Sequence, residues 1–351
     1  MKIKIITSHN AINYGAVLQA YALFRYLSDI GHDVKIIDFK PQEINNVPFK
    51  VKVYMWLCNI FFNKNERVLE QKFKDFLNNY MKFTKCYEDI EALRKDPPKA
   101  DVYICGSDQI WNCTYIFREY FFLDFGEAKK ISYAASIGTE YIPNIYVDKF
   151  INLIKKLDAV SVREIEAKEL IEKMCNLKCD VSVDPTLLLS KEEWDKLTGE
   201  RMIKDKYIIY YALHRSSTSE KLLNKLKKEL KCKIITVTTS TLPCIGDIVI
   251  RDAGPIEFLN LYKYSEFAVN ASFHGTVFSI IFEKPFYTMS YGPGKARIRT
   301  LLSAMGLENR IYFEGKIPEG LTDKIDYTVV KEKLTKEVER SKKYLYDNLR
   351  R

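Results

Sequence analysis

A few short segments of this sequence hold most of the side chains that could do chemistry. The sharpest is Asn270-Ala271-Ser272-Phe273-His274-Gly275-Thr276, where an apolar run gives way to a helical pattern. An imidazole at such a turn can donate a proton or bind phosphate, and Gly275 allows close approach of a ligand. Further on, Tyr291-Gly292-Pro293-Gly294 leads into Lys295, Arg297 and Arg299. These cations would suit a small molecule with two anionic groups. The charges of a solvated helix face would read the same way, and that fits one of the two arginines better than Lys295. Ser161-Val162-Arg163-Glu164 places an arginine where a strand passes into a helix, a position from which it can clamp a carboxylate or phosphate. A structural Arg163–Glu164 neighbourhood is the plainer alternative.

Other turns favour a carbohydrate. Cys105-Gly106-Ser107-Asp108-Gln109-Ile110-Trp111-Asn112 offers hydroxyl, carboxylate, amide and indole at one strand end. Those groups match an array of sugar hydroxyls and a ring face, although turn chemistry with a buried Trp111 has the same composition. In His9-Asn10-Ala11-Ile12-Asn13-Tyr14-Gly15-Ala16, Gly15 opens a helix to ligand approach, or Asn13 simply caps it. Ser136-Ile137-Gly138-Thr139 is a further glycine turn after a strand. The sequence holds no G-x-S-x-G and no phosphate-binding G-x-x-x-x-G-K-[ST], and its basic residues form no recognisable nucleic-acid platform. The cysteine and histidine spacings assemble no metal site, and the chemistry calls for no cofactor.

The elements that must position these turns are legible from periodicity. Short β-branched runs alternate with helical stripes, which predicts an α/β fold with mainly parallel strands. Strands are expected at Lys2–Ile6, Val34–Asp38, Val102–Cys105, Lys130–Ala134, Ala159–Val162 and Asp180–Val183. The second half repeats the pattern with Tyr207–Leu213, Lys233–Thr238, Phe267–Asn270 and Phe286–Met289. Two Rossmann-like lobes follow: an N-terminal one over 1–190, with a helical insertion near 45–95, and a C-terminal one over 205–325. Residues 326–351 form a terminal helix. Ligands are expected between the lobes, beyond the strand ends.

The chain has 351 residues, 47% apolar and 29% charged, which supplies ordinary cores and excludes disordered and disulfide-stapled classes. A net charge of +9 tolerates several anionic partners and selects none. Eight dispersed cysteines fit a reducing cytoplasm. The apolar stretch Val53–Phe62, flanked by lysines, is too short to span a bilayer. It reads as a helix packed on the domain or as a peripheral contact with the inner face of a membrane.

Taken in order, Asn13–Leu23, Gly106–Asn112, Ser161–Glu164, Asp184-Pro185-Thr186, Ser272–Ser279 and Lys295–Leu302 resemble the polysaccharide pyruvyl transferase family. The resemblance implies two lobes like those of the GT-B glycosyltransferases. It also implies an enzyme that transfers the carbon skeleton of phosphoenolpyruvate to a sugar as a pyruvate ketal. His274 then matches the histidine implicated in catalysis or donor binding, Arg163 a donor-binding arginine and Lys295 a basic residue of the same site, with Arg297 and Arg299 as further candidates. Asp108 or Asp184 could deprotonate a hydroxyl. The acceptor is expected on the N-terminal lobe, at Asn13, Tyr14, Gly15, Ser107, Asp108, Gln109 and Trp111, as a free or lipid-linked oligosaccharide. A nucleotide-sugar glycosyltransferase and a non-catalytic glycan-binding protein are the competing readings.

Overall fold

The computed structural model describes residues 1–41, 66–114, 116–211, 216–239, 243–290 and 295–350, the Lys295 side chain excepted. In chain order the first half runs β1 (Lys2–Ile6), α1 (Tyr14–Asp29), β2 (Asp33–Phe39), α2 (66–80), β3 (Phe83–Tyr87) and α3 (Ile90–Lys95). It continues with β4 (Val102–Cys105), β5 (Lys129–Ser132), α4 (Val147–Ile154), β6 (Val160–Val162), α5 (Ile165–Cys175) and β7 (Cys179–Val181). A 3-10 turn at Pro185–Leu188 and α6 (Lys191–Thr198) lead to β8 (Tyr207–Tyr211), α7 (Ser217–Leu230), β9 (Lys233–Val237) and β10 (Ile248–Ile250). Then come α8 (Pro255–Lys263), β11 (Phe267–Asn270), α9 (Phe273–Ile281) and β12 (Phe286–Met289). The chain ends with α10 (Lys295–Met305), β13 (Ile311–Tyr312) and α11 (Tyr327–Leu349).

The strands form two parallel sheets, ordered β3-β2-β1-β4-β5 and β10-β9-β8-β11-β12-β13. Isolated bridges from Ile131 to Ala159 and from Ala135 to Val162 carry the first sheet on to β6, which pairs with β7. Each order reverses beside the first strand of its lobe, between β1 and β4 and between β8 and β11. Open α/β sheets take ligands at such switch points, and the 105–112 and 270–276 turns stand there. Central strands such as Val-Tyr-Ile-Cys in β4 are buried at every residue, as a sheet covered on both faces requires.

Helix α1 lies between the lobes. Its Asn13 cap accepts from the Ala16 N–H at 3.1 Å, and most of its residues are buried around the full circumference. A helix apolar all round has no solvent face, and here the second contact is the C-terminal lobe. Tyr14 stacks on Phe258 at 4.3 Å between ring centroids, and its hydroxyl donates to the Ala253 carbonyl at 2.7 Å. Burying such a ring contributes about 2 kcal/mol, so this junction fixes how the two site-bearing faces meet. From the far end, α11 returns to the first lobe, where the Tyr344 hydroxyl donates to the Ser132 carbonyl at 2.8 Å.

Several expectations need correction. The region near 45–95 is not purely helical, because Phe83–Tyr87 forms the edge strand beside β2. Strands β10 and β13 and helix α10 were also outside the expected pattern. The Val53–Phe62 patch lies outside the described residues. Among the described residues, no helix is long and apolar enough to cross a membrane.

Candidate active site

His274 enters the site from the second position of α9. Ser272 caps that helix, its hydroxyl facing the Gly275 N–H, and the neighbouring polar residues build the scaffold. Tyr262 donates to Asn270 Oδ1 at 2.8 Å and Asn270 donates to Ser279 Oγ at 3.0 Å. A Cβ on Gly275 would lie 2.6 Å from the Tyr262 hydroxyl, so this network requires the glycine. On the other side, a Cβ on Gly15 would fall on the His274 ring. The bare start of α1 in one lobe is therefore the seat for the imidazole of the other.

His274 Nε2 stands 3.4 Å from Asp184 Oδ2 and is buried without a hydrogen-bond partner among the described residues. Asp184 is fully enclosed. Its Oδ2 also accepts from Arg163 Nη1 at 2.5 Å and Ser107 Oγ at 3.2 Å, and its Oδ1 accepts from the Thr186 N–H and hydroxyl at 3.1 and 2.7 Å. Burial alone would raise its pKa. The facing His274 and Arg163, with the hydrogen bonds, outweigh burial and hold the carboxyl far below the usual range.

Arg163 has spent only one of its donors. Its Nε and Nη2 are buried without partners among the described residues, as is Arg297 Nε. Both guanidiniums lie over the Phe273 ring, with Cζ at 4.3 and 6.0 Å from its centroid. Burial first, and then the Arg163 charge, push Arg297 down to about 10, which leaves it charged at neutral pH. Two like charges sharing one ring, with donors unspent, make a receptor for an anion. A cavity of about 850 Å³ between α5, α10 and α11 reaches this pair, lined there by Arg163, Phe273 and Arg297.

The structure brings Arg163, Asp184, His274 and Arg297 together and separates them from other expected site residues. Arg299 lies two positions beyond Arg297, and residues two apart on a helix face different ways. Its side chain is 65% exposed and 3.8 Å from Glu166, so Arg299 is corrected to a surface cation. Lys295 opens α10. Asp184 is corrected from hydroxyl base to buried anchor, since no acceptor can touch it. Ser107 is likewise sealed in, spent on Asp184.

Trp111 and Tyr14 are also corrected: neither offers a face to a sugar. Trp111 is fully buried, stacked near Phe122 at 5.5 Å, and its N–H donates to the Phe121 carbonyl at 3.3 Å. Tyr14 belongs to the lobe junction. The Gln109 carboxamide turns toward the donor side; with its oxygen assigned to the side facing α10, it accepts from both terminal nitrogens of Arg297 at 3.2 and 3.3 Å. Asp108 remains partly open at the β4 end with φ of 71°, a left-handed backbone that aspartate tolerates and most residues do not. Asn13 is exposed at the start of α1, where its side chain caps the helix.

Two contributors carried no assigned role in the sequence. Phe273 is the shared plate beneath the arginines. Glu164, buried, accepts through one oxygen from the Ser136 hydroxyl at 2.9 Å and from the Ile137 and Gly138 N–H groups at 2.9 and 3.0 Å. It fixes the turn against which Gln109 packs. The signal was present in the glycine of Ser136-Ile137-Gly138, whose φ is 69°.

A family model described as polysaccharide pyruvyl transferase matches residues 13–293. No curated protein matches the chain. Among solved structures, UDP-N-acetylglucosamine 2-epimerase from Rickettsia bellii is similar at a TM-score of 0.57 and 12% identity, over 98% of this chain and 95% of that one. An alpha-glucosyltransferase solved with UDP and a 13-mer DNA is similar at 0.52 and 8% identity, over 97% and 90% of the two chains. At such identities the likeness shows the fold: two Rossmann-like lobes of the GT-B type.

Proposed function

The chain belongs to the polysaccharide pyruvyl transferase family, and from that premise we propose that it joins the enolpyruvyl skeleton of phosphoenolpyruvate to a sugar as a pyruvate ketal, releasing phosphate. The carrying observation is the pair of guanidiniums over Phe273, with unspent buried donors beside His274. A carboxylate and a phosphate on adjacent carbons are the groups such a pair would hold, with Lys295 as a further cation of the donor site.

The residues then divide the reaction as follows. His274 delivers a proton to the methylene carbon, the alkene π pair forming the new C–H bond and leaving the central carbon electron-poor. A sugar hydroxyl oxygen bonds to that carbon, and Asp108 at the cleft accepts its proton. The bond from carbon to phosphate oxygen then breaks, the electron pair leaving with phosphate, which takes up the proton held by Asp108 and whose charge Arg163 and Arg297 stabilise. A second hydroxyl of the sugar closes the ketal and returns its proton to His274. Asn13 and Asp108 form the acceptor side in this reading. The acceptor belongs to a cell-surface polysaccharide or its lipid-linked precursor, and the lipid-linked form would bring this cytoplasmic enzyme to the inner membrane face.

Incubation of the protein with phosphoenolpyruvate and a panel of sugar acceptors tests the reaction. Phosphate release with an acceptor mass gain of pyruvate less water is expected. Silence across a broad panel, with turnover of a nucleotide sugar instead, would replace this reading by a glycosyltransferase.

A further inference from the structure

We infer that Asp184 is a positioning residue: its Oδ2, shared by Arg163, Ser107 and His274, holds His274 by Nε2 and leaves Nδ1, on the Gly15 side, to carry the transferred proton. This rests on the proposed reaction for its purpose and on geometry for its substance. Asp184 cannot meet a substrate, since its side chain is completely buried. Yet it is more heavily bonded than a neutral core would need. Oδ1 is fixed by Thr186 N–H and hydroxyl, which stops the carboxylate from turning. Oδ2 is then aimed, with Ser107 and Arg163 holding its other approaches.

The 3.4 Å gap to Nε2 is longer than a good hydrogen bond, as catalytic pairs often are before substrate closes the site. A carboxylate that accepts from one imidazole nitrogen selects the tautomer and frees the other nitrogen for chemistry. The same anchor orients Arg163, so the acid and one donor cation are set by a single carboxylate. The charged group facing His274 is Asp184 from the turn after β7; that carboxylate also holds Arg163 from the β6–α5 junction, which shares the Phe273 ring with Arg297 from α10, and Glu164 and Asp108 from the β4 turn act on Arg297. Helix α1 contributes the uncharged backbone of Gly15.

Asp184→Asn tests the assignment, because the amide keeps an oxygen for Thr186 and loses the charge facing His274. The expected result is a fall in kcat of about 10²- to 10⁴-fold. Phosphoenolpyruvate affinity, measured by calorimetry, should fall by less than kcat does, since Arg163 loses its anchor but keeps its charge and Arg297 is untouched. The pH–rate profile should change shape, because the negative charge facing the imidazole is gone. A uniform loss at every pH with an equal rise in donor KM would make Asp184 merely structural and overturn the inference. Should Asp184→Asn fail to fold, Ser107→Ala loosens the same oxygen; kcat should then fall about tenfold, and an unchanged kcat would count against the inference.

Nitrogen-15 NMR of the His274 ring separates this inference from the reaction itself. In the wild-type protein, neutral His274 should carry its proton on Nε2, and Asp184→Asn should abolish that preference. A wild-type Nδ1–H tautomer would overturn the assignment even if the transferase activity is found. The Nε2–H tautomer without any phosphoenolpyruvate turnover would leave it standing and sink the reaction.

Discussion

Two histidine–aspartate pairs sit at strand ends in this molecule, and they are built to opposite ends. His9 is buried with both ring nitrogens facing acceptors, Nδ1 at 3.1 Å from the Thr7 carbonyl and Nε2 at 3.2 Å from Asp38. The other oxygen of Asp38 accepts from Lys40 at 2.8 Å. Both imidazole nitrogens and both carboxylate oxygens of that pair have partners. His274 instead has a buried nitrogen without a hydrogen-bond partner among the described residues, an aspartate 3.4 Å away, and two arginines with unspent donors there. A buried polar group normally finds its bonds within the protein, so the first pair is finished structure. The second is organised but incomplete, which is the condition of a site that completes itself on an anion.

The contrast can be broken most directly by deleting each imidazole. His274→Ala should lower kcat by about 10³-fold or more, the share of a general acid, with the melting temperature nearly kept. His9→Ala should do the reverse: it strips the imidazole from Asp38 Oδ1 and the Thr7 carbonyl, costs roughly 1–3 kcal/mol of stability, and leaves kcat within a few-fold. Steady-state rates and urea melts on both variants decide it. Comparable losses of kcat would erase the distinction.

A smaller change attacks the seat of the imidazole. Alanine is favoured over glycine inside a helix by about 1 kcal/mol, so Gly15→Ala should be benign for α1 alone. Its methyl would nevertheless land on the His274 ring. The expected result is a fall in kcat of about 10²-fold, the cost of misplacing a catalytic group by a fraction of its width, with the fold intact. Full activity in Gly15→Ala would mean that the ring has another place to work.

Much of this was legible before the structure and some was not, for reasons that the residues make plain. Lys2–Ile6, Val102–Cys105, Phe267–Asn270 and Phe286–Met289 appear as strands at the expected bounds, because central parallel strands are buried, largely apolar runs of four or five residues. Phe83–Tyr87 escaped notice because an edge strand buries little and carries mixed residues, and Ile248–Ile250 because its apolar run is only three residues long. Residue type pointed to Arg163, His274 and Arg297, but not to their division of labour. That required knowing that α10 turns Arg297 inward and Arg299 outward, and that the Asp184 carboxylate is reached only from within. Trp111 misled for the converse reason. An indole suits a sugar ring and a core equally, and only the packing of Phe122 against it decides between them.

The gentlest test of the comparison is acid. The hydrogen bonds from His9 and Lys40 overcome the burial that would raise Asp38, and hold its carboxyl below the ordinary 3.8. A carboxyl with a depressed folded-state pKa stabilises the protein fully above its unfolded value, and that contribution fades as pH falls through the folded one. The stability gap between wild type and Asp38→Asn should therefore be roughly 1 kcal/mol at neutral pH and close toward zero as pH falls through the lowered folded-state value. Asp184 is held much lower, so the gap for Asp184→Asn should persist where that of Asp38→Asn has already closed. Urea melts of the three proteins at neutral pH and across the acid range measure both gaps. If they close together, the two carboxylates are held equally hard, and the saturated pair is no different in kind from the one that faces the arginines.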